Sequence, residues 1–536
     1  MSLPATLPPL PQLPPLPTRR PDLLARLAEP RTYDLAVIGG GATGLGVALE
    51  AASRGYSVVL LESHDFAKGT SSRATKLVHG GVRYLAQGNL SLVREALHER
   101  AVLLRNAPHL AQPLAFVMPS YKFWQAPFYG LGLKLYDLLA GAAGLGRTAF
   151  LSRAQTLRLL PTVQAQGLQG GVKYWDGQFD DARLALALAR TAALQGALLV
   201  NYCPVTGFMQ EDGRLAGLRA RDEETGQVFE IRARCIVNAA GVWVDQLRQL
   251  DAQAASLTAP PMVAPSQGVH LVVDRSFWPT DHALLVPKTQ DGRVLFAVPW
   301  LGKVILGTTD TPRADLAREP QAFKEEVDFI LRESARYLQR APRPEDVLSV
   351  WVGLRPLVKA PQAGDGRTQG LSREHTVLSS QSGLVTVTGG KWTTYRAMAE
   401  DVLRHCQQAN LLADSGPSVT AEMPLVGALE GSHSMSQPAG LHSYGSESAQ
   451  VNALPGSERW LCPGLSEAMV RFAARCEYAR TVEDVLARRS RLLFLDARLA
   501  ETLAPDVAAL LLEETGTDPC LAAFITLCRS YQTLPV

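Results

Sequence analysis

The chain has 536 residues, more than one ordinary domain needs and enough for two or three. Hydrophobic residues make up 46% and charged residues 19%, a mixture that excludes a disordered chain and allows large cores. With 53 basic against 51 acidic residues the formal net charge is +2, which gives no support to a nucleic-acid binder.

In chain order, residues 1–30 are rich in proline and leucine and read as a semi-extended leader. They lack the basic start and unbroken apolar stretch of a secretion signal. Leu35-Ala36-Val37-Ile38 is then a short apolar run before glycines, as in a buried parallel strand. A helix follows over 45–54 and a second buried strand over Ser57-Val58-Val59-Leu60-Leu61. This is a βαβ unit opening a doubly wound α/β sheet. Phe123 to Gly146 is the most apolar stretch but carries Lys134 and Asp137, costly at a bilayer centre. A helix lying on a membrane or packed inside the protein is expected there.

Short strands with turn signals between them follow: Gly268 to Val273, Val294 to Val298 and Val304 to Gly307. They predict an antiparallel sheet interrupting the nucleotide domain. The expected organisation is a nucleotide-binding domain over 31–400, with substrate or cap segments at about 106–165 and 268–349, and a helical domain over 401–536. Gly431 to Gly456 divides the latter as a loop, and Pro505 predicts a helix boundary within Leu499 to Glu514. The seven cysteines (Cys203, Cys235, Cys406, Cys462, Cys476, Cys520 and Cys528) form no Cys-x-x-Cys pair. No metal site or disulfide framework is expected, and a reducing compartment suits them.

Gly39-Gly40-Gly41-Ala42-Thr43-Gly44 fits G-x-G-x-x-G between strand and helix, and Glu62 closes the next strand. The glycines let backbone approach a pyrophosphate, the helix N-terminus supplies N–H donors, and Glu62 can accept from an adenosine ribose. The motif does not separate NAD from FAD.

Further motifs make that separation through resemblance. Ile38-Gly39-Gly40-Gly41 through Arg54-Gly55, Thr70-Ser71-Ser72, and Lys76-Leu77-Val78-His79-Gly80-Gly81-Val82-Arg83-Tyr84-Leu85 resemble segments of the FAD-dependent glycerol 3-phosphate dehydrogenases. So, in the same order, do Gly307-Thr308-Thr309-Asp310-Thr311, Gly353-Leu354-Arg355-Pro356-Leu357, Gly389 to Arg396, and Glu483 to Arg489 in the helical C-terminal domain. The resemblance runs from Tyr33 onward. Leu45 stands where the pattern has a small residue and Glu50 where it has Asp. The first puts the packing of the first helix in question.

The resemblance implies non-covalent FAD held by Gly39, Gly41, Gly44, Glu62, Ser71, Ser72, Gly80, Gly81, Ala240, Gly241, Gly390, Lys391 and Thr393. It implies glycerol 3-phosphate as substrate, oxidised to dihydroxyacetone phosphate by hydride transfer to flavin N5. Phosphate calls for forked cations. Arg83, Arg355 and Arg373 are the candidates, with Tyr84 as a hydroxyl donor and Lys391 at flavin or phosphate. Arg373 lies close to a turn, Gly364 to Arg367, and reads equally as a surface charge. His270 shares a strand face with Gly268 and Val272; on its own it reads equally as a base or as a satisfied core histidine. The resemblance favours His270 as the base, with Arg355 stabilising the developing alkoxide.

The family often passes electrons to quinone at a membrane, so quinone is the expected acceptor, from a cytoplasmic protein with a peripheral contact on the inner face of the cell membrane. A homodimer is left open. The rival readings are a glycerol 3-phosphate oxidase using oxygen and another flavin-dependent amine or hydroxy-acid oxidoreductase. An RNA-modifying flavoprotein is disfavoured by the balanced charge, and a flavin-binding protein without catalysis by the presence of His270 and the arginines.

Overall fold

The computed structural model describes residues 18–82, 89–254, 257–289, 292–359, 375–429, 431 and 433–535. Part of the predicted leader is helical: α1 spans Arg20–Leu27, with Pro21 in the first turn, where a missing N–H breaks no helical bond. Arg20 is buried there against Asp222 and the carbonyl of Tyr202, which pins α1 to the first sheet's edge.

The βαβ unit forms as expected, with β1 over Thr32–Ile38, α2 over Ala42–Ser53 and β2 over Val58–Leu61. β1 pairs in parallel with β2 on one side and with the strand Val228–Asn238 on the other. The strands Leu198–Val200 and Leu384–Thr388 extend the sheet in parallel on either side, and Thr376–Ser379 adds an antiparallel strand outside the latter. Both strands of the unit are almost wholly buried, which is why they read as continuous apolar runs. Helices Asp181–Leu194 and Tyr395–Gln408 pack with α2 on this sheet. Gly46 permits the latter contact, since a Cβ there would stand 2.9 Å from the Tyr395 ring. Leu45 is fully buried in an unbroken α2, so its bulk is absorbed by the core. Glu50 is buried too; it pairs with Arg54 and accepts from Ser418 at 3.0 Å.

The second sheet is mixed and mostly antiparallel. Its order among the described residues is 311–312, 263–274, 303–307, 295–300, 283–286, 111–120, 170–179 and 77–78, with 347–358 also lying along 263–274. The strands expected from Gly268, Val294 and Val304 are all present and pair antiparallel.

Gln125–Ala140 is a surface helix. Gly130, Leu133, Tyr136 and Ala140 face inward, while Trp124, Phe128, Leu131, Leu135 and Leu138 form an exposed apolar stripe. Among the described residues no helix is long and apolar enough to cross a membrane.

The last third is helical, with Glu467–Cys476, Ala497–Thr515 and Leu521–Gln532 around one core. The boundary predicted at Pro505 is absent, and the helix runs through it. Pro505 lies on the exposed face, while Leu503, Ala504, Val507 and Ala508 bury the opposite one. Four buried side chains offset the roughly 3 kcal/mol that an interior proline costs. Among the described residues all seven cysteines are free, and no cluster suited to a metal ion occurs.

Candidate active site

The nucleotide cradle is made of backbone. Gly39 leaves β1 with φ +110°, and a Cβ on it would stand 2.7 Å from the Ala239 carbonyl. A Cβ on Gly44 would come within 1.9 Å of the Gly39 carbonyl, so neither position accepts a side chain without moving the turn. Gly41 caps α2, and the Ala42 N–H at the helix start donates to Ser71 Oγ at 2.9 Å. The Glu62 carboxylate, at the end of β2, accepts from the Gly40 N–H at 2.6 Å and the His64 N–H at 2.9 Å. A bare turn, a helix N-terminus and an acceptor at the second strand's end are the parts a dinucleotide needs, and FAD fits them.

The other predicted cofactor residues surround this cradle. Ser71 lies on it directly, and its carbonyl accepts from Trp392 Nε1 at 2.9 Å. Ser72 turns inward: its hydroxyl donates to the Gly69 carbonyl at 3.5 Å, and its own carbonyl accepts from Lys76 and Arg491. Gly80 is a packing glycine, with a Cβ position 2.4 Å from the Tyr136 hydroxyl; Gly81 turns the chain at φ +80°. The N–H of His79 donates to Thr393 Oγ1 at 3.2 Å, joining this segment to the Gly389–Thr394 turn. There Gly390 takes φ +76° and Lys391 caps the short helix that continues into Tyr395–Gln408. On the opposite side, the Ala240 N–H donates to Asn238 Oδ1 at 3.3 Å, and Gly241 turns at φ +61°.

The face that carries the predicted catalytic residues is made of side chains from paired strands. In register, Ser266 faces Arg355, Gly268 faces Gly353 and His270 faces Trp351, so these six share one face of the sheet. Gly268 makes room for arginine: a Cβ there would be 2.2 Å from Arg355 Nη2. That guanidinium donates to the Thr309 carbonyl at 3.0 Å and lies 3.3 Å from both Thr308 Oγ1 and Asp310 Oδ1. His270 is buried, its Nε2 3.0 Å from Thr75 Oγ1. Its ring stacks on Trp351 with centroids 4.0 Å apart. Its Nδ1 has no hydrogen-bond partner among the described residues. Burial, with Arg355 and Lys76 nearby, holds the imidazole well below its ordinary pKa, so it is neutral at physiological pH.

His270 and Arg355 are thus neighbours, whereas Arg83, Tyr84 and Arg373 lie outside the described residues. Sequence reasoning missed Trp351, Thr75 and the Lys76–Asp181 ion pair, at 2.7 Å, that sits against the Trp351 ring. Trp351 was findable: it lies two and four residues before Gly353 and Arg355, on their strand face.

Comparison with known proteins agrees with this geometry. Residues 34–396 match the profile of the FAD dependent oxidoreductases, and 418–520 that of the C-terminal domain of alpha-glycerophosphate oxidase. A FAD-dependent oxidoreductase with an added helical domain is therefore the class. The chain is 41% identical to the mitochondrial glycerol-3-phosphate dehydrogenase of Homo sapiens, over 94% of itself and 73% of that protein. It is 37% identical to that of Schizosaccharomyces pombe, over 94% of itself and 87% of that protein. The glycerol-3-phosphate dehydrogenase from Bacillus halodurans, solved with FAD, superposes with a TM-score of 0.76 at 30% identity, covering 96% of this chain and 98% of its own. The chain belongs to the FAD-dependent glycerol-3-phosphate dehydrogenases. The L-alpha-glycerophosphate oxidase of Mycoplasma pneumoniae shares the fold, with a TM-score of 0.54 at 19% identity over 70% of this chain and 94% of its own.

Proposed function

We propose that this dehydrogenase oxidises the C2 alcohol of sn-glycerol 3-phosphate to the ketone of dihydroxyacetone phosphate and delivers the electrons to a quinone. The observation that carries the reading is one strand face holding a neutral buried imidazole, His270, beside the guanidinium of Arg355. Bound FAD supplies the two-electron acceptor for the C2 hydride. His270 takes the hydroxyl proton, and Arg355 stabilises the oxygen as negative charge develops on it. Trp351 and Thr75 fix the plane and tilt of the imidazole. Lys391 and the arginines Arg83 and Arg373, with Tyr84, are assigned to the phosphate end. FAD is held by Gly39, Gly41, Gly44, Glu62, Ser71, Gly81, Ala240, Gly241, Gly390, Lys391 and Thr393, with Ser72 and Gly80 shaping the turns between them. Anaerobic mixing with glycerol 3-phosphate should bleach the flavin absorbance while glycerol should not; bleaching by both alike would remove the phosphate site.

The exposed stripe on Gln125–Ala140 supports quinone and a peripheral station on the inner face of the cell membrane. Trp124, Phe128, Leu131, Leu135 and Leu138 present apolar surface to solvent, and Lys122, Lys134 and Arg147 are exposed around it. Leu131→Glu with Leu138→Glu should abolish sedimentation with phosphatidylglycerol vesicles and lower quinone turnover, leaving anaerobic flavin reduction intact. Peroxide yield matching substrate consumption in the presence of quinone would instead make oxygen the acceptor.

A further inference from the structure

The segment between the strand Thr311–Pro312 and the helix Lys324–Tyr337 leaves the second sheet and crosses to the nucleotide side. It is tightly pinned there. The Arg313 N–H donates to the Pro265 carbonyl at 3.0 Å, and its side chain holds the Gln321 carbonyl at 2.8 Å. Trp243 Nε1 donates to the Leu316 carbonyl at 3.1 Å. Glu319 pairs with Arg73 at 2.7 Å and with Lys68 at 2.8 Å.

Between the last two anchors, the Arg318 guanidinium lies over the Trp243 ring, 3.9 Å from its centroid. It makes no hydrogen bond or ion pair among the described residues. Trp243 in turn closes on Gly69, where a Cβ would stand 3.0 Å from the ring. Gly69 opens the Thr70–Ser72 turn that carries Ser71 onto the cradle. The charge of Arg318 is felt by Glu62 and His64 at the end of β2. Burial lowers the guanidinium from its ordinary value while the Glu62 carboxylate supports its charge. Burial and Arg318 together push the His64 imidazole down. Arg318 therefore stands on the Trp243 turn, within electrostatic reach of the end of β2, at the rim of the cradle.

A pyrophosphate bound there carries negative charge that backbone N–H groups do not neutralise. The cations on the Glu62–Lys76 segment are committed elsewhere: Lys68 and Arg73 to Glu319, Lys76 to Asp181. A guanidinium resting on an aromatic face is pre-oriented and keeps its fork free for phosphate oxygens. We propose that Arg318 is a cofactor-binding residue, a cation carried from the second sheet on the 313–323 segment to the pyrophosphate of FAD. Trp243 is its platform, and Glu319 sets the height of the segment.

The test is FAD binding by the full chain, stripped of cofactor and titrated back at low salt. Arg318→Met should weaken FAD about tenfold, and Arg318→Lys, which keeps the charge, by less. The gap between parent and Arg318→Met should shrink in about 1 M salt, where such attractions are screened. ADP, used as a competitor, should lose the same factor against Arg318→Met, and adenosine should lose nothing. Parental FAD affinity in Arg318→Met would overturn the assignment. So would a loss that ignores salt or strikes adenosine as hard as ADP, since either would mean that Arg318 only packs the segment.

Discussion

The cradle and the face proposed for the substrate lie on different sheets and are built on opposite plans. The cradle works by what its residues lack. Gly39 and Gly44 leave no room for a Cβ, and Gly41 opens a helix N-terminus onto the bare turn. The substrate face works by what its side chains add: an imidazole locked between Trp351 and Thr75, and a guanidinium laid over Gly268. A backbone site tolerates almost no change in shape. A side-chain site tolerates changes in shape better than changes in charge or hydrogen bonding.

The largest expected effect is at the cradle. Gly44→Val places atoms where the Gly39 carbonyl already stands at 1.9 Å. Purified protein should carry almost no flavin absorbance, and its unfolding free energy should fall by about 3 kcal/mol, the cost of forcing side-chain atoms into a filled space. Full FAD content would break the contrast. Next comes Arg355→Lys, which keeps a charge but loses the planar fork that spans Thr308, Thr309 and Asp310. It should leave FAD content unchanged and lower kcat/KM for glycerol 3-phosphate about 100-fold, the scale of one lost transition-state donor. An unchanged value would remove Arg355 from the site.

A smaller effect concerns pH. Burial and, after it, Arg355 hold the His270 imidazole below its ordinary value, so the proposed base loses activity through protonation only on the acid side of the parent's profile. Arg355→Gln removes that repulsion, and the acid limb of the flavin-reduction rate should move upward; Arg355→Lys should leave it in place. Limbs that coincide in all three proteins would detach the limb from His270. The smallest effect is Trp351→Phe. The Trp351 Nε1 has no partner among the described residues, so a phenyl ring loses area but no hydrogen bond. The expected loss is about 1 kcal/mol in denaturant unfolding, with reduction slowed only a few-fold. A loss as large as that of Arg355→Lys would show that the stack does more than orient.

The same contrast explains what the sequence made legible. A backbone site leaves a local signature, so Gly39, Gly41, Gly44 and Glu62 were readable from one βαβ stretch. The strands around His270 were readable from apolar runs and turn residues. Partners from distant strands leave no such mark. The spacing of Trp351 marks its strand face but not its contact with His270, which antiparallel register makes, and nothing in the sequence marks Thr75, which a separate segment delivers. Arg318 was invisible for the same reason. Pro505 misled because its local cost is outweighed by a face buried against other helices, and α1 because a proline in a first turn costs nothing. The Gln125–Ala140 helix is apolar on both faces, so its sequence did not say which one would be covered.

The central claim is that His270 serves the chemistry and not the cofactor. Stopped-flow mixing of His270→Ala with glycerol 3-phosphate under anaerobic conditions tests it directly. FAD content should equal that of the parent, and flavin reduction should be slower by about 1,000-fold, the usual worth of a positioned base. A fully flavinated His270→Ala protein that bleaches at the parental rate would contradict the account.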